Sequence, residues 1–124
     1  MKFIVFLDLD YNFSVSLAKL CDLESDELFF LNDFNYLHNF KYEDNLLLII
    51  DFNDYVKNLE LVIDSIKNIG KFPTCILIDK MDSEIHKKVT SIGFDMVMTK
   101  KTFLMNIKTI KSQIINNNSN LQNN

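Results

Sequence analysis

Leu46-Leu47-Leu48-Ile49-Ile50-Asp51 is the stretch on which the fold turns. Five apolar residues run without interruption into a carboxylate. Successive side chains of a strand point to opposite faces, so a short run that is apolar at every position predicts a strand covered on both sides, as in the middle of a parallel sheet. Asp51 then stands at the carboxyl end of a central strand, where open α/β sheets place their functional groups. Phe3-Ile4-Val5-Phe6-Leu7 ends the same way in Asp8, with Asp10 two residues on, and Met96-Val97-Met98-Thr99 ends in Lys100. Acids and a lysine at the ends of three strands can converge on one pocket.

The remaining segments supply the layers around such a sheet. Asp10 or Asn12 can cap a helix to about Leu23, with Phe13, Leu17, Leu20 and Cys21 on its inner face. Asp22 to Asp26 is turn-like, and Glu27 to Leu31 reads as a second strand. Residues 34–44 are divided between a short helix, with Tyr36, Leu37 and Phe40 on one face, and a loop studded with aromatics. After the central strand, Asn53-Asp54 reads as loop. Leu59, Val62, Ile63 and Ile66 recur at helical spacing, with Gly70 as C-cap. Pro73 opens a strand over 74–78, which ends in Asp79; a first strand residue need not donate to the ladder. A helix over 82–92 is capped by Asp82 or Ser83 and ended by Gly93, with Ile85, Val89 and Ile92 inward. The last helix runs from about Thr102 to Ile115, with Phe103, Ile107, Ile110 and Ile114 inward. Alternating strands and helices with short connections predict an α/β fold: a five-stranded parallel sheet in a three-layer sandwich. Residues 1–115 form one domain in this reading, and the Asn-rich stretch 116–124 is a disordered tail.

Composition narrows the function classes. The 124 residues suit one domain, and 48% hydrophobic with 24% charged is the mix of a globular chain. A net charge of −4 argues against nucleic acid as a partner. No apolar run approaches the length of a membrane span, and the start lacks the features of a signal peptide. Two cysteines, Cys21 and Cys75, both on predicted inner faces, read as buried free thiols in a reducing, cytoplasmic setting rather than a disulfide. Two histidines far apart, His38 and His86, make a zinc site improbable. His86, beside Lys87-Lys88, reads as a solvated face residue. Phe29, Phe30, Phe52 and Phe103 read as core or partner surface rather than a stacking platform for bases. Lys100-Lys101, Lys108 and Lys111 read as a solvated basic helix face. With only Gly70 and Gly93 there is no nucleotide-binding glycine motif, so flavodoxin-like cofactor binding is poorly supported.

Placed on these strands, the residues resemble the receiver domains of bacterial response regulators over residues 2–115. Leu48-Ile49-Ile50-Asp51-Phe52-Asn53 resembles the phosphoacceptor segment, and Gly93-Phe94-Asp95-Met96-Val97-Met98-Thr99-Lys100 the family's Gly-Ala-Asp…Lys segment. The resemblance implies the flavodoxin-like receiver topology, a place in two-component phosphorelay signalling, and Asp51 as acceptor of a phosphoryl group. It further implies Lys100 as the lysine pairing with phosphoryl oxygens, and magnesium held by Asp8, Asp10, Asp51 and Asn53, since phosphoryl transfer needs positioning and cations more than covalent assistance. It implies protein partners, a histidine kinase or a downstream signalling protein, docking on residues 82–115, with a homodimer as an alternative there.

The departures from that pattern point to a degenerate, or pseudo-, receiver. The register set by Phe13, Leu17 and Leu20 puts Leu9, which cannot coordinate a metal, at the main metal-ligand position; sliding by one puts Asp8 there and misaligns the helix. The switch hydroxyl position falls on Ile78, the switch aromatic on Val97, and the proline usual after the lysine on Lys101. Asp79, next to Ile78, would repel a phosphoaspartate. The expectation is therefore a signalling domain that is not an enzyme, acts by protein–protein interaction, requires no cofactor, and in which Asp51 and Lys100 form an ion pair. Magnesium enters only if the acidic pocket is functional. Two alternatives stay open: a phosphorylatable receiver with Asp51 as acceptor, and a haloacid-dehalogenase-like phosphatase, whose strand and Asp-x-Asp opening resembles Phe6-Leu7-Asp8-Leu9-Asp10. The latter family's Gly-Thr is Tyr11-Asn12 here, and a convincing late acidic pair is missing. Taken as a whole chain, a sequence with no output segment after residue 115 must act by docking.

Overall fold

The computed structural model describes residues 1–6, 10–41 and 44–122, with side chains up to 117. Five strands, β1 (Lys2–Phe6), β2 (Glu27–Phe30), β3 (Leu46–Asp51), β4 (Thr74–Ile78) and β5 (Met96–Thr99), form one parallel sheet in the order β2-β1-β3-β4-β5. β3 is central, and all six of its residues are buried. The register Val5↔Ile49↔Cys75↔Met96 sets the strand ends level, so the residues that follow them share one edge.

The period-two alternation of the strands feeds two cores. Ile4, Phe6, Leu48, Ile50 and Ile76 face one side, against Leu59, Val62, Ile63 and Ile66 of α3 (Leu59–Ile69) and Val89 of α4 (Ser83–Ile92). Phe3, Val5, Leu47, Ile49, Cys75 and Leu77 face the other, against Phe13, Leu17 and Cys21 of α1 (Tyr11–Leu23). Phe103 of α5 (Lys100–Met105) and Ile107, Ile110 and Ile114 of α6 (Ile107–Gln122) complete that second layer. Both thiols are buried, and burial pushes their pKa values up, to about 11 for Cys21 and about 12 for Cys75.

Within 34–44 the chain takes the short-helix alternative, and several other elements differ from their sequence expectations. Residues Phe34–Asn39 form a 3-10 helix capped by Asp33, whose carboxylate accepts from Asn35 N. Leu37 is its buried residue, and Tyr36 is exposed. Asn53-Asp54 is not loop but part of a one-turn helix, α2 (Phe52–Tyr55), nucleated by Asp51 as its cap. The final helix breaks at Asn106. There the side-chain amide donates to Thr102 O at 2.8 Å, and the backbone N–H is shared between Thr102 O and Phe103 O. A local side-chain bond of this kind competes with the helical ladder. α6 continues to Gln122, seven residues past the end that its apolar periodicity predicts. The lysines expected on one solvated face divide. Lys101 and Lys108 are exposed, but Lys111 donates to Asp26 at 2.6 Å in a largely buried pair, which the Met1 ammonium joins at 3.6 Å from the other carboxylate oxygen. His86 is half-buried on α4. Among the described residues no helix is long and apolar enough to cross a membrane.

Candidate functional site

Strand order places the site. The chain leaves β1 for β2 on one side, and β3 lies on the other, so the carboxyl ends of β1 and β3 flank the point where the direction of winding reverses. Open sheets form a crevice at such a point. Asp10 follows β1 as the N-cap of α1, its Oδ1 accepting from Phe13 N at 3.0 Å. Asp51 ends β3 and caps α2, its Oδ1 accepting from Asn53 N at 2.8 Å. Asp79 follows β4. Lys100 is the first residue of α5, a helix begun by Thr99, whose Oγ1 accepts from Thr102 N at 3.1 Å.

Lys100 Nζ binds all three acids: Asp51 Oδ2 at 2.8 Å, Asp10 Oδ2 at 2.9 Å and Asp79 Oδ1 at 3.4 Å. An ammonium has three donors, and here each meets a different carboxylate. Each acid commits its second oxygen to an N–H: Phe13 N for Asp10, Asn53 N for Asp51, and Asn53 Nδ2 at 2.6 Å for Asp79. Asn53 thus ties Asp51 to Asp79, with its backbone on one and its amide on the other. Asp51 is the most enclosed of the three, its side chain 5% exposed, while that of Asp79 is 62% exposed.

The charges shift accordingly. The Phe13 N–H, and then the hydrogen bond from Lys100, hold the Asp10 carboxyl below its usual range. The Asn53 amide does most to lower Asp79, with Lys100 adding to it. Burial works against the charge of Lys100, but the hydrogen bonds to Asp51 and Asp10 outweigh it, and its pKa is raised.

Of the residues named from sequence, the structure brings Asp10, Asp51, Asn53 and Lys100 together; Asp8 and Leu9 lie outside the described residues. Ile78 is 2% exposed and pairs in register with Thr99. Val97 is half-buried and packs toward the α3 side of the sheet. Asp79 is the member that sequence reasoning treated only as a source of repulsion. The signal that singles out Asp51, an acid closing an apolar strand, applies to it equally.

The resemblance implies magnesium at these residues. Three carboxylates facing one ammonium have the charge that a hard divalent cation seeks. Between Asp10 and Asp51, however, Lys100 Nζ takes the cationic position, within 2.9 Å of both. Among the described residues no three His, Cys, Asp or Glu side chains are disposed to hold a metal ion. Among the described residues an ammonium therefore stands where the resemblance places the ion, and Asp8, the further ligand it names, lies outside them.

No protein-family model matches this chain, and no curated protein sequence matches it. Among solved structures, it is similar to the crystal structure of a response regulator in red light signaling of R. palustris. That match covers 88% of this chain and 90% of the other, with a TM-score of 0.62 and 16% sequence identity. At that identity the likeness is one of fold, and the five parallel strands flanked by helices are the flavodoxin-like receiver fold.

Proposed function

We propose that this domain is a receiver-like signalling module that works by docking to a protein partner, with magnesium-dependent phosphorylation of Asp51 impaired or lost and no substrate turned over. The observation that carries this reading is the closed set of bonds around Lys100. Its three donors are spent on three acids, and each acid's other oxygen is spent on an N–H. A phosphoryl group on Asp51 would replace its single negative charge with up to two, a gain of about one charge beside Asp10 and Asp79. Lys100 would have to abandon existing partners to meet it. At the end of β4 it would find the Ile78 side chain, which has no hydroxyl to donate, and an already bonded Asp79. The docking surface in this reading is the stretch 82–115, where α4 presents Glu84, Lys87 and Lys88 to solvent and α5 presents Met105, 73% exposed. A kinase, a downstream signalling protein or a second copy of the domain would bind there.

The second reading, an ordinary phosphorylatable receiver, is favoured by one observation: Lys100 already reaches Asp51 at 2.8 Å, as a phosphate-pairing lysine must. Incubation with a small phosphodonor and magnesium, followed by intact mass and amide shifts, separates the two. The docking reading expects little or no adduct, and equal partner binding by wild type and Asp51→Asn. A stoichiometric phosphate adduct that vanishes in Asp51→Asn, with shifts spreading to Val97 and α4, would overturn it.

A further inference from the structure

A cavity lies far from the Lys100 cluster, at the opposite, amino-terminal edge of β4 and β5. Its volume is about 760 Å³, within the range of small-molecule sites. Ile63 and Ile66 of α3, Phe72, Met96 and Ile114 of α6 give it an apolar lining, and most of these are core residues. Its inner polar groups bond to one another. Asp95 Oδ2 accepts from Thr74 N at 2.9 Å and from Thr74 Oγ1 at 3.2 Å, while Asp95 N donates to Thr74 Oγ1 at 3.1 Å. Lys67 and Lys71 of the lining have no ion-pair partner among the described residues, and the one acid there, Asp95, has none either, its carboxylate being hydrogen-bonded to Thr74. Gly93, also in the lining, makes room for one of the lysines: a methyl group there would stand 2.7 Å from Lys67 Nζ. In a chain of net charge −4, an apolar cleft that carries two exposed lysines against a single carboxylate already bonded to Thr74 is net positive, and so complementary to an anion with an apolar body.

We propose that this cleft binds a small amphiphilic anion: an apolar chain or ring lying against Ile63, Ile66, Phe72, Met96 and Ile114, with a carboxylate head held by Lys67 and Lys71. The lysine stems line the opening, and their ammonium groups stay hydrated until the head arrives. Burial of the apolar body supplies affinity, and the two charge-assisted bonds supply the choice of an anion over a cation. Nothing in the arrangement involves Asp51 or Lys100, so the site stands or falls independently of the signalling reading.

The test is titration of the full chain with dodecanoate, kept below its micelle-forming concentration, against dodecyltrimethylammonium at the same concentrations, followed by amide shifts. The proposal expects saturable shifts confined to Ile63, Ile66, Phe72, Met96 and Ile114 with dodecanoate. Weakening by about tenfold or more should follow in the double variant Lys67→Gln, Lys71→Gln, which changes two surface side chains and leaves the core intact. Asp51→Asn should bind dodecanoate like wild type. Equal binding of the cationic amphiphile, equal binding by the double-lysine variant, shifts scattered over the whole sheet, or no saturable shift at millimolar ligand would each overturn it.

Discussion

Lys100 Nζ stands 2.8 Å from Asp51 Oδ2, and Asp51 is fixed in that position from its other oxygen by the backbone N–H of Asn53. The pair therefore joins the end of the central strand to the start of α5, with Asp51 only 4% exposed. Removing the ammonium strands a buried carboxylate, whereas removing the carboxyl charge leaves Lys100 two other acids.

The expected order of stability loss follows from that asymmetry. Lys100→Met should cost about 3 kcal/mol, because it leaves Asp51 without its cation. Asp51→Asn should cost about 1 kcal/mol, since the amide oxygen can still cap α2 and Lys100 keeps Asp10 and Asp79. Asp79→Asn should change stability by less than about 1 kcal/mol, as its side chain is mostly exposed. Urea midpoints of the three variants check the order, and a neutral Lys100→Met would show the cluster to be structurally idle.

Acid should unfold the domain partly through this cluster. Asp10 and Asp79 have folded-state pKa values below the ordinary carboxylate value, so the unfolded chain takes up protons first as pH falls. Their contribution is complete above about pH 4 and is lost as pH drops through the depressed folded values. Lys100 has the opposite sign. Its raised pKa keeps its contribution complete below about pH 10.4, with loss as pH rises through the folded value. Urea midpoints measured from pH 7 down to pH 2 should decline below about pH 4, and Asp10→Asn should flatten that decline.

Both thiols should be inert in the native state. Cys75, raised to about 12, and Cys21, raised to about 11, remain protonated at pH 8, and the thiolate is the reactive form. Ellman's reagent at pH 8 should label neither cysteine at native urea concentrations and both after unfolding. Their contribution to stability is complete below about pH 8.5 and fades as pH rises toward the raised values. Rapid native labelling of Cys75 would mean that β4 opens locally.

What was legible in the sequence was what short-range pattern encodes. Leu46–Ile50 reads as a central strand because every position is apolar, and Asp51 is conspicuous because a charge interrupts that run. Leu59, Val62, Ile63 and Ile66 announce α3 by spacing alone. Long-range geometry was legible only where strand ends gave it away, in the approach of Lys100 to Asp51 and Asp10. Asn53 and Asp79 are 26 residues apart, and nothing local says that the amide of one meets the carboxylate of the other. The break at Asn106 hides because Phe103, Ile107, Ile110 and Ile114 keep helical spacing across it, and all four are buried. The extension of α6 to Gln122 hides for the opposite reason. Beyond Ile115 the residues are poor helix formers with no apolar stripe to mark a helix.

Thr74 and Asp95 make a last test of how the sheet's amino edge is held. Pro73 has no N–H, and its carbonyl is taken by Leu48 N at 2.9 Å, so β4 effectively begins at Thr74. Thr74 N, in a residue 1% exposed, is satisfied by the Asp95 carboxylate, and the Thr74 hydroxyl bonds in turn to Asp95. Asp95→Ala should therefore cost about 2 kcal/mol, the penalty for a buried donor that loses its acceptor, rather than the smaller net value of an exchangeable hydrogen bond. Thr74→Val removes only the hydroxyl and should cost about 1 kcal/mol. Because the two residues share their bonds, the double variant should lose clearly less than the sum of the single losses. A double-mutant cycle by urea denaturation measures this. Strict additivity would show that Asp95 supports β4 through the Thr74 backbone alone.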